Sequence, residues 1–215
     1  MSFCQQAWAA TAELQERIVQ HPFNQALADG SLPPDRFAYY LVQDARYLST
    51  FSTTLGAASR RAGDQADAHF FAAGAQRALD VERRLHQAYL SRLAPQGSTA
   101  VATSAAGAAY AAFLARSAAE APYPVLVASL LPCYWVYHHV GTRILARTNG
   151  RPEHPYRAWI DTYADASFAA GVAQVRAIAD TGAAAHPELK PAMLAAFRHG
   201  SEHEWAFWDG AWRGR

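Results

Sequence analysis

The residues of this 215-residue chain with the most chemical potential lie past its middle. Leu130-Leu131-Pro132-Cys133-Tyr134-Trp135-Val136-Tyr137 sets a thiol beside a proline and among three aromatics, inside an apolar run from Pro124 to Val140. A cysteine is a nucleophile once it loses its proton, and in a core it is equally an inert small hydrophobe. Helical spacing puts Cys133, Val136, Tyr137 and Val140 on one face. Two carboxylates stand where apolar side chains are expected. Asp44, with Tyr47, falls on the stripe Phe37, Tyr40, Leu41, Leu48, Phe51 and Leu55. Glu204 falls on the stripe Leu194, Phe197, Ser201, Trp208 and Ala211, flanked by Trp205 and Phe207. Burying an acid is costly without a partner, so inward acids tend to be functional. An aromatic setting raises the pKa of Glu204 and lets it hold a proton near neutrality, as a general acid must. The bland alternatives are a boundary position for Asp44 and a solvated stripe edge for Glu204. Glu82 and His86 form an i,i+4 pair that reads as a solvated ion pair before a metal site. His138 and His139 do not share the Cys133 face, which argues against a Cys–His dyad within that helix.

The elements that must position these groups all read as helices. Phe3, Ala7, Ala10, Leu14 and Ile18 predict one amphipathic helix with Ser2 as N-cap, ending at His21-Pro22-Phe23. A short segment follows, closed by Asp29-Gly30. Ser31 to Asp35 starts a second helix that runs to about Arg61 and carries Asp44. A third spans the Asp64–Asp67 region to Leu93, with Val81, Leu85, Tyr89 and Leu93 inward. A loop over Ala94 to Thr103 leads to Ser104, which caps a helix bearing Tyr110, Phe113 and Leu114. The Cys133 helix starts at about Pro124, carries a tendency to kink at Pro132 and stops at Asn149-Gly150. Pro152 and Pro155 fill the next loop. Trp159, Ile160, Tyr163, Val172, Val175 and Ile178 predict one helix from Tyr156 to Thr181-Gly182, and a last helix starts near Pro187. No stretch alternates with period two long enough for a strand. The expectation is all-α: one compact multi-helix bundle over residues 1–215.

Composition narrows the classes. Half the residues are hydrophobic (51%) and 12% are aromatic, which is a folded globular chain. Formal net charge is +1 with no basic run beyond paired arginines, so a nucleic-acid footprint is missing. The two cysteines, Cys4 and Cys133, form no CxxC or disulfide framework. Glu13, Glu16 and Arg17 interrupt the N-terminus too early for a signal peptide. The longest apolar run falls short of the roughly 20 residues of a spanning helix. A cytoplasmic protein without a membrane partner is expected. Glu-x-x-His pairs, HExxH, a Walker loop and GxGxxG after a strand are all absent from the sequence.

Several stretches together resemble the TenA (thiaminase II) family, in order and over nearly the whole chain. Phe23 to Pro33 resembles its "HPF…ADGTLP" segment, and Phe37 to Asp44 with Tyr47-Leu48 its "F.YYL.QD..YL" motif. Leu130 to Tyr137 with Gly141 resembles "LLPCYW.Y…G", Trp159 to Ala164 "WI..YA", and Glu204 to Asp209 with Ala211 "E..FWD.A". The resemblance implies an all-helical haem-oxygenase-like fold, a homotetramer and no haem, metal or other cofactor. It implies hydrolysis of aminopyrimidines in thiamin salvage: 4-amino-5-aminomethyl-2-methylpyrimidine, thiamin, or both, giving the 5-hydroxymethyl compound. Cys133 places the chain in the family's cysteine-containing group. By matching motif, Cys133 would add to the pyrimidine ring, Glu204 would move protons, and Asp44 would bind the aminopyrimidine edge. Tyr47, Tyr110, Tyr137 and Tyr163 would line the pocket. Two positions depart from the family pattern. Asp165-Ala166-Ser167 precedes Phe168 where acids are common, and His203 stands before Glu204 where tyrosine is common. The alternatives are a non-catalytic aminopyrimidine-binding or regulatory protein, and a haem-binding enzyme that would show a Soret band.

Overall fold

The computed structural model describes residues 1–90, 102–148 and 153–214, apart from the side chains of residues 82, 86 and 90. Among these residues the regular structure is helical throughout. The helices are α1 (Phe3–Ala10), α2 (Ala12–Val19), α3 (Pro22–Asp29), α4 (Pro34–Arg61) and α5 (Gln65–Leu85), the last followed by a π turn over His86–Leu90. Then come α6 (Ala105–Glu120), α7 (Tyr123–Arg147), α8 (Arg157–Ala164), α9 (Ala166–Ala185) and α10 (Lys190–Arg213).

The caps follow from the sequence. Ser2 and Gln5 form a capping box, Ser104 Oγ accepts from Gly107 N, and Gly30 ends α3 in the left-handed conformation that glycine adopts without strain (φ 85°). Two expected helices are each broken in two. Thr11 interrupts the first: its hydroxyl donates to the Ala7 and Trp8 carbonyls, a local bond that competes with the helix. Gln15 Nε2 donates to both Thr11 Oγ1 and Ser201 Oγ, tying the break to α10. Asp165 interrupts the other: its backbone is extended and its carboxylate accepts from Ser167 N, so it caps α9. Helix α9 then runs past Thr181-Gly182 to Ala185. Gly182 serves packing instead of termination, since a Cβ there would lie 3.2 Å from Pro124 Cβ. Helix α5 ends earlier than expected, and Val81 is only half-buried. The side chains of the expected Glu82–His86 pair, and nearly all of the Ala94–Thr103 loop, lie outside what the structure describes.

Helix α7 is the hub, buried along most of its length and packed against α8, α9 and α10. Helix α4 packs against α5 and α6 and reaches α7 from the other side. Pro132 sits within an unbroken α7, its ring over Gly200 of α10, where a Cβ would come to 2.7 Å from Pro132 Cγ. A Cβ on Gly141 would lie 2.8 Å from Tyr163 Cβ and 3.0 Å from its carbonyl carbon. These two glycines let α10 and α8 approach the Cys133 helix closely. No described helix is long and apolar enough to cross a membrane.

Candidate active site

The seven residues picked out by pattern and resemblance converge. Asp44 and Tyr47 come from α4, Tyr110 from α6, Cys133 and Tyr137 from α7, Tyr163 from α8 and Glu204 from α10, and all seven are buried. Asp44 is 3% exposed and Glu204 1%, so the boundary and stripe-edge alternatives for these acids do not hold. A cavity of about 920 Å³ opens between α4, α5, α7 and the α8–α9 junction. Asp44, Cys133, Tyr137 and Tyr163 lie on its wall. Tyr47, Tyr110 and Glu204 do not line it and are buried behind that wall.

That inner layer is hydrogen-bonded. Tyr110 Oη donates to Glu204 Oε1 at 2.7 Å. The Tyr47 and Tyr110 rings pack 4.6 Å apart. Tyr47 Oη makes no hydrogen bond of full geometry, yet it is near enough to act on the protons of both Cys133 and Tyr110. On the cavity side, the Tyr137 ring packs 4.8 Å from Tyr163 and 5.0 Å from Trp208. Trp159 Nε1 donates to Tyr40 Oη at 3.2 Å, and Tyr40 Oη lies 3.4 Å from Tyr137 Oη. His138 Nδ1 lies 3.0 Å from the Tyr163 carbonyl oxygen.

Burial governs the protons. Glu204 is pushed up to about 8, first by desolvation and further by Asp44, against the pull of the Tyr110 hydrogen bond. Desolvation also raises the Cys133 thiol well above its ordinary value; Glu204 and Asp44 add to this, while Tyr47 opposes it. At neutral pH the site therefore holds a protonated carboxyl and a neutral thiol. The groups acting on that thiol are carboxyls and a phenol, not a cation. Cys4 offers the contrast of a structural cysteine: its thiol donates to the Arg176 carbonyl and is pushed up to about 12 by burial and Asp180. Among the described residues no group of three or more His, Cys, Asp and Glu side chains is arranged to hold a metal ion.

Sequence reasoning assigned no part to several residues of the cavity. Tyr134 and Phe168 wall it, and Arg77 and Arg84 of α5 stand at it opposite Asp161 and Asp165. Tyr134 was in view within the cysteine motif. The α5 residues carried no signal, because a polar helix face reads as solvated whether or not a cavity opens beside it. Of the two departures from the family pattern, Ser167 lines the cavity and His203 stacks on Tyr110.

Comparison with known proteins finds relatives in both sequence and fold. The TENA/THI-4/PQQC family matches residues 8–214. A Bacillus subtilis protein named aminopyrimidine aminohydrolase is 32% identical, over 99% of this chain and 91% of its own length. A Corynebacterium efficiens protein named thiamine biosynthesis multifunctional protein ThiED is 39% identical over 96% of this chain, which spans 28% of that longer protein. Among solved structures, the TenA homologue from P. horikoshii OT3 superposes with a TM-score of 0.90 over 100% of both chains at 24% identity. That likeness bears out the expected all-helical, haem-oxygenase-like fold. With a full-length family match and a fold to agree with it, the chain belongs to the TENA/THI-4/PQQC family.

Proposed function

We propose that this protein is an aminopyrimidine hydrolase of thiamin salvage, cleaving the C–N bond at the 5-methylene of its substrate. The observation that carries the reading is the pairing of a buried thiol on a cavity wall with a proton-bearing carboxyl behind it, joined through Tyr47 and Tyr110. The name of the B. subtilis relative supports it, as does the thiamine-biosynthesis name of the Corynebacterium relative.

In this reading Asp44 accepts hydrogen bonds from the aminopyrimidine edge, and Tyr137 and Tyr163 present ring faces and hydroxyls to the heterocycle. Glu204, still protonated at neutral pH, supplies a proton to a ring nitrogen as the Cys133 sulfur bonds to a ring carbon. The electron-rich adduct expels the amine from the 5-methylene, the amine leaves with the proton that the Cys133 thiol gave up, and an exocyclic alkene remains. Water adds to that carbon and its released proton restores Glu204; the C–S bond then breaks, the ring-nitrogen proton passes to the departing sulfur, and aromaticity returns. A protein of this kind is expected to be a cytoplasmic homotetramer with no nucleic-acid partner and no cofactor.

Incubation with the aminomethyl pyrimidine and, separately, with thiamin tests the reading, with product followed by chromatography. Release of the hydroxymethyl pyrimidine from either is expected and ranks the substrates. Binding of both without release from either would overturn it.

A further inference from the structure

Glu204 lies on α10, while Tyr110, its hydrogen-bond donor among the described residues, lies on α6. The useful geometry therefore depends on how the Tyr110 phenol is held. His203 precedes Glu204, and on a helix successive side chains point in directions about 100° apart, so it cannot stand beside the carboxyl. Its imidazole instead lies nearly parallel to the Tyr110 ring, with centroids 5.1 Å apart and planes at 13°. Phe113, one turn beyond Tyr110 on α6, packs 5.2 Å from the same imidazole and 6.4 Å from His199. Flat rings from two helices thus interleave at the α6–α10 seam, next to the hydrogen bond that opposes the upward shift of the Glu204 pKa.

We propose that His203 is a positioning residue: its stacked ring holds the Tyr110 phenol in the orientation that delivers its hydroxyl to Glu204. The position requires a flat ring and no particular titration. Burial and the neighbouring His199 lower the His203 pKa, against an opposing pull from Glu202, so the stacking ring is the neutral imidazole. Aromatic pairs of this geometry gain stability beyond the area they bury, which favours one orientation of a phenol. The proposal rests on the reading of Glu204 as proton carrier.

Glu204 is faced by Asp44 from α4, which raises its pKa, and by Tyr110 from α6, which lowers it. Cys133 from α7, Tyr40 and Tyr47 from α4, Tyr137 from α7 and Tyr163 from α8 feel its charge in turn. Losing the Tyr110 hydrogen bond removes the opposing pull, so the Glu204 proton is held to higher pH.

The test compares His203→Ala, His203→Phe and Tyr110→Phe by pH profile and by infrared absorption of the protonated carboxyl, which needs no turnover. His203→Ala is expected to lower kcat/KM about tenfold and to move the carboxyl titration upward by about one pH unit, the size of one lost hydrogen bond to a charged group. His203→Phe is expected to restore both, and His203→Ala added to Tyr110→Phe to change nothing further. An unmoved titration in His203→Ala, failure of Phe to rescue, or an additive double variant would each overturn the proposal. Glu204→Gln separates the two ideas. If it removes the titrating carboxyl band without loss of turnover, the proton-carrier reading fails; if it abolishes turnover while His203→Ala leaves the titration unmoved, only the His203 proposal fails.

Discussion

A carboxyl at 1% exposure with a single phenol donating to it is poorly solvated as an anion, and this has a consequence outside catalysis. Glu204 titrates at about 8 in the folded chain against an ordinary 4.5, so the folded state binds its proton more tightly than the unfolded state does. The stabilising contribution is complete below about pH 4.5, declines as pH rises, and is lost once pH passes through about 8. Glu204→Gln cannot ionise and can still accept from Tyr110. It is expected to leave stability near pH 5 little changed and to unfold at higher temperature than the parent at pH 9, while losing most turnover. Thermal melts of the two proteins across that range check this, and a parallel decline in both would contradict it. Asp44 and Glu204 were legible in the sequence because an acid interrupting an apolar stripe is conspicuous. The Tyr110–Glu204 bond was not, because it joins residues 94 positions apart and depends on how α6 and α10 pack.

At the scale of elements, the site depends on two close approaches to α7. Gly141 faces the backbone of Tyr163 and Gly200 faces the ring of Pro132. A backbone carbonyl yields less than a side-chain edge, so Gly141→Ala should be the more disruptive change. It is expected to cost about 1–3 kcal/mol, the usual penalty for overpacking, and to raise KM by displacing Tyr163 from the cavity wall. Gly200→Ala should cost a similar or smaller amount and lower kcat, because it shifts Glu204, one turn along α10. Chemical denaturation with steady-state kinetics distinguishes the two, and stability unchanged in both would contradict the packing argument. Helix existence was readable from periodicity in the longer elements, whereas α3 read only as a short segment closed by Asp29-Gly30. The breaks at Thr11 and Asp165 were missed because the apolar pattern carries across both, while the side-chain bonds that end each helix leave no mark on that pattern.

For the whole molecule, the buried aromatic and aliphatic residues form one continuous cluster drawn from nearly every described helix. We propose that the chain unfolds as one cooperative unit, as expected of a single core. Calorimetry should give one transition with matching calorimetric and van't Hoff enthalpies, and two resolved transitions would contradict it. The order of motifs along the chain made the family legible from sequence, because five short patterns in register seldom coincide by chance. The cavity's extent was not legible, since Arg77, Arg84, Asp161 and Asp165 come to line one cavity only in the folded chain. If Cys133 performs the chemistry in a pocket that other residues build, its thiol is needed for turnover and not for binding. The most direct measurement sets turnover of the aminomethyl pyrimidine beside calorimetric affinity for the hydroxymethyl product, in the parent and in Cys133→Ala. Turnover is expected to fall at least a thousandfold, about 4 kcal/mol of lost transition-state stabilisation, with affinity within a few-fold of the parent. Turnover that survives in Cys133→Ala would contradict it.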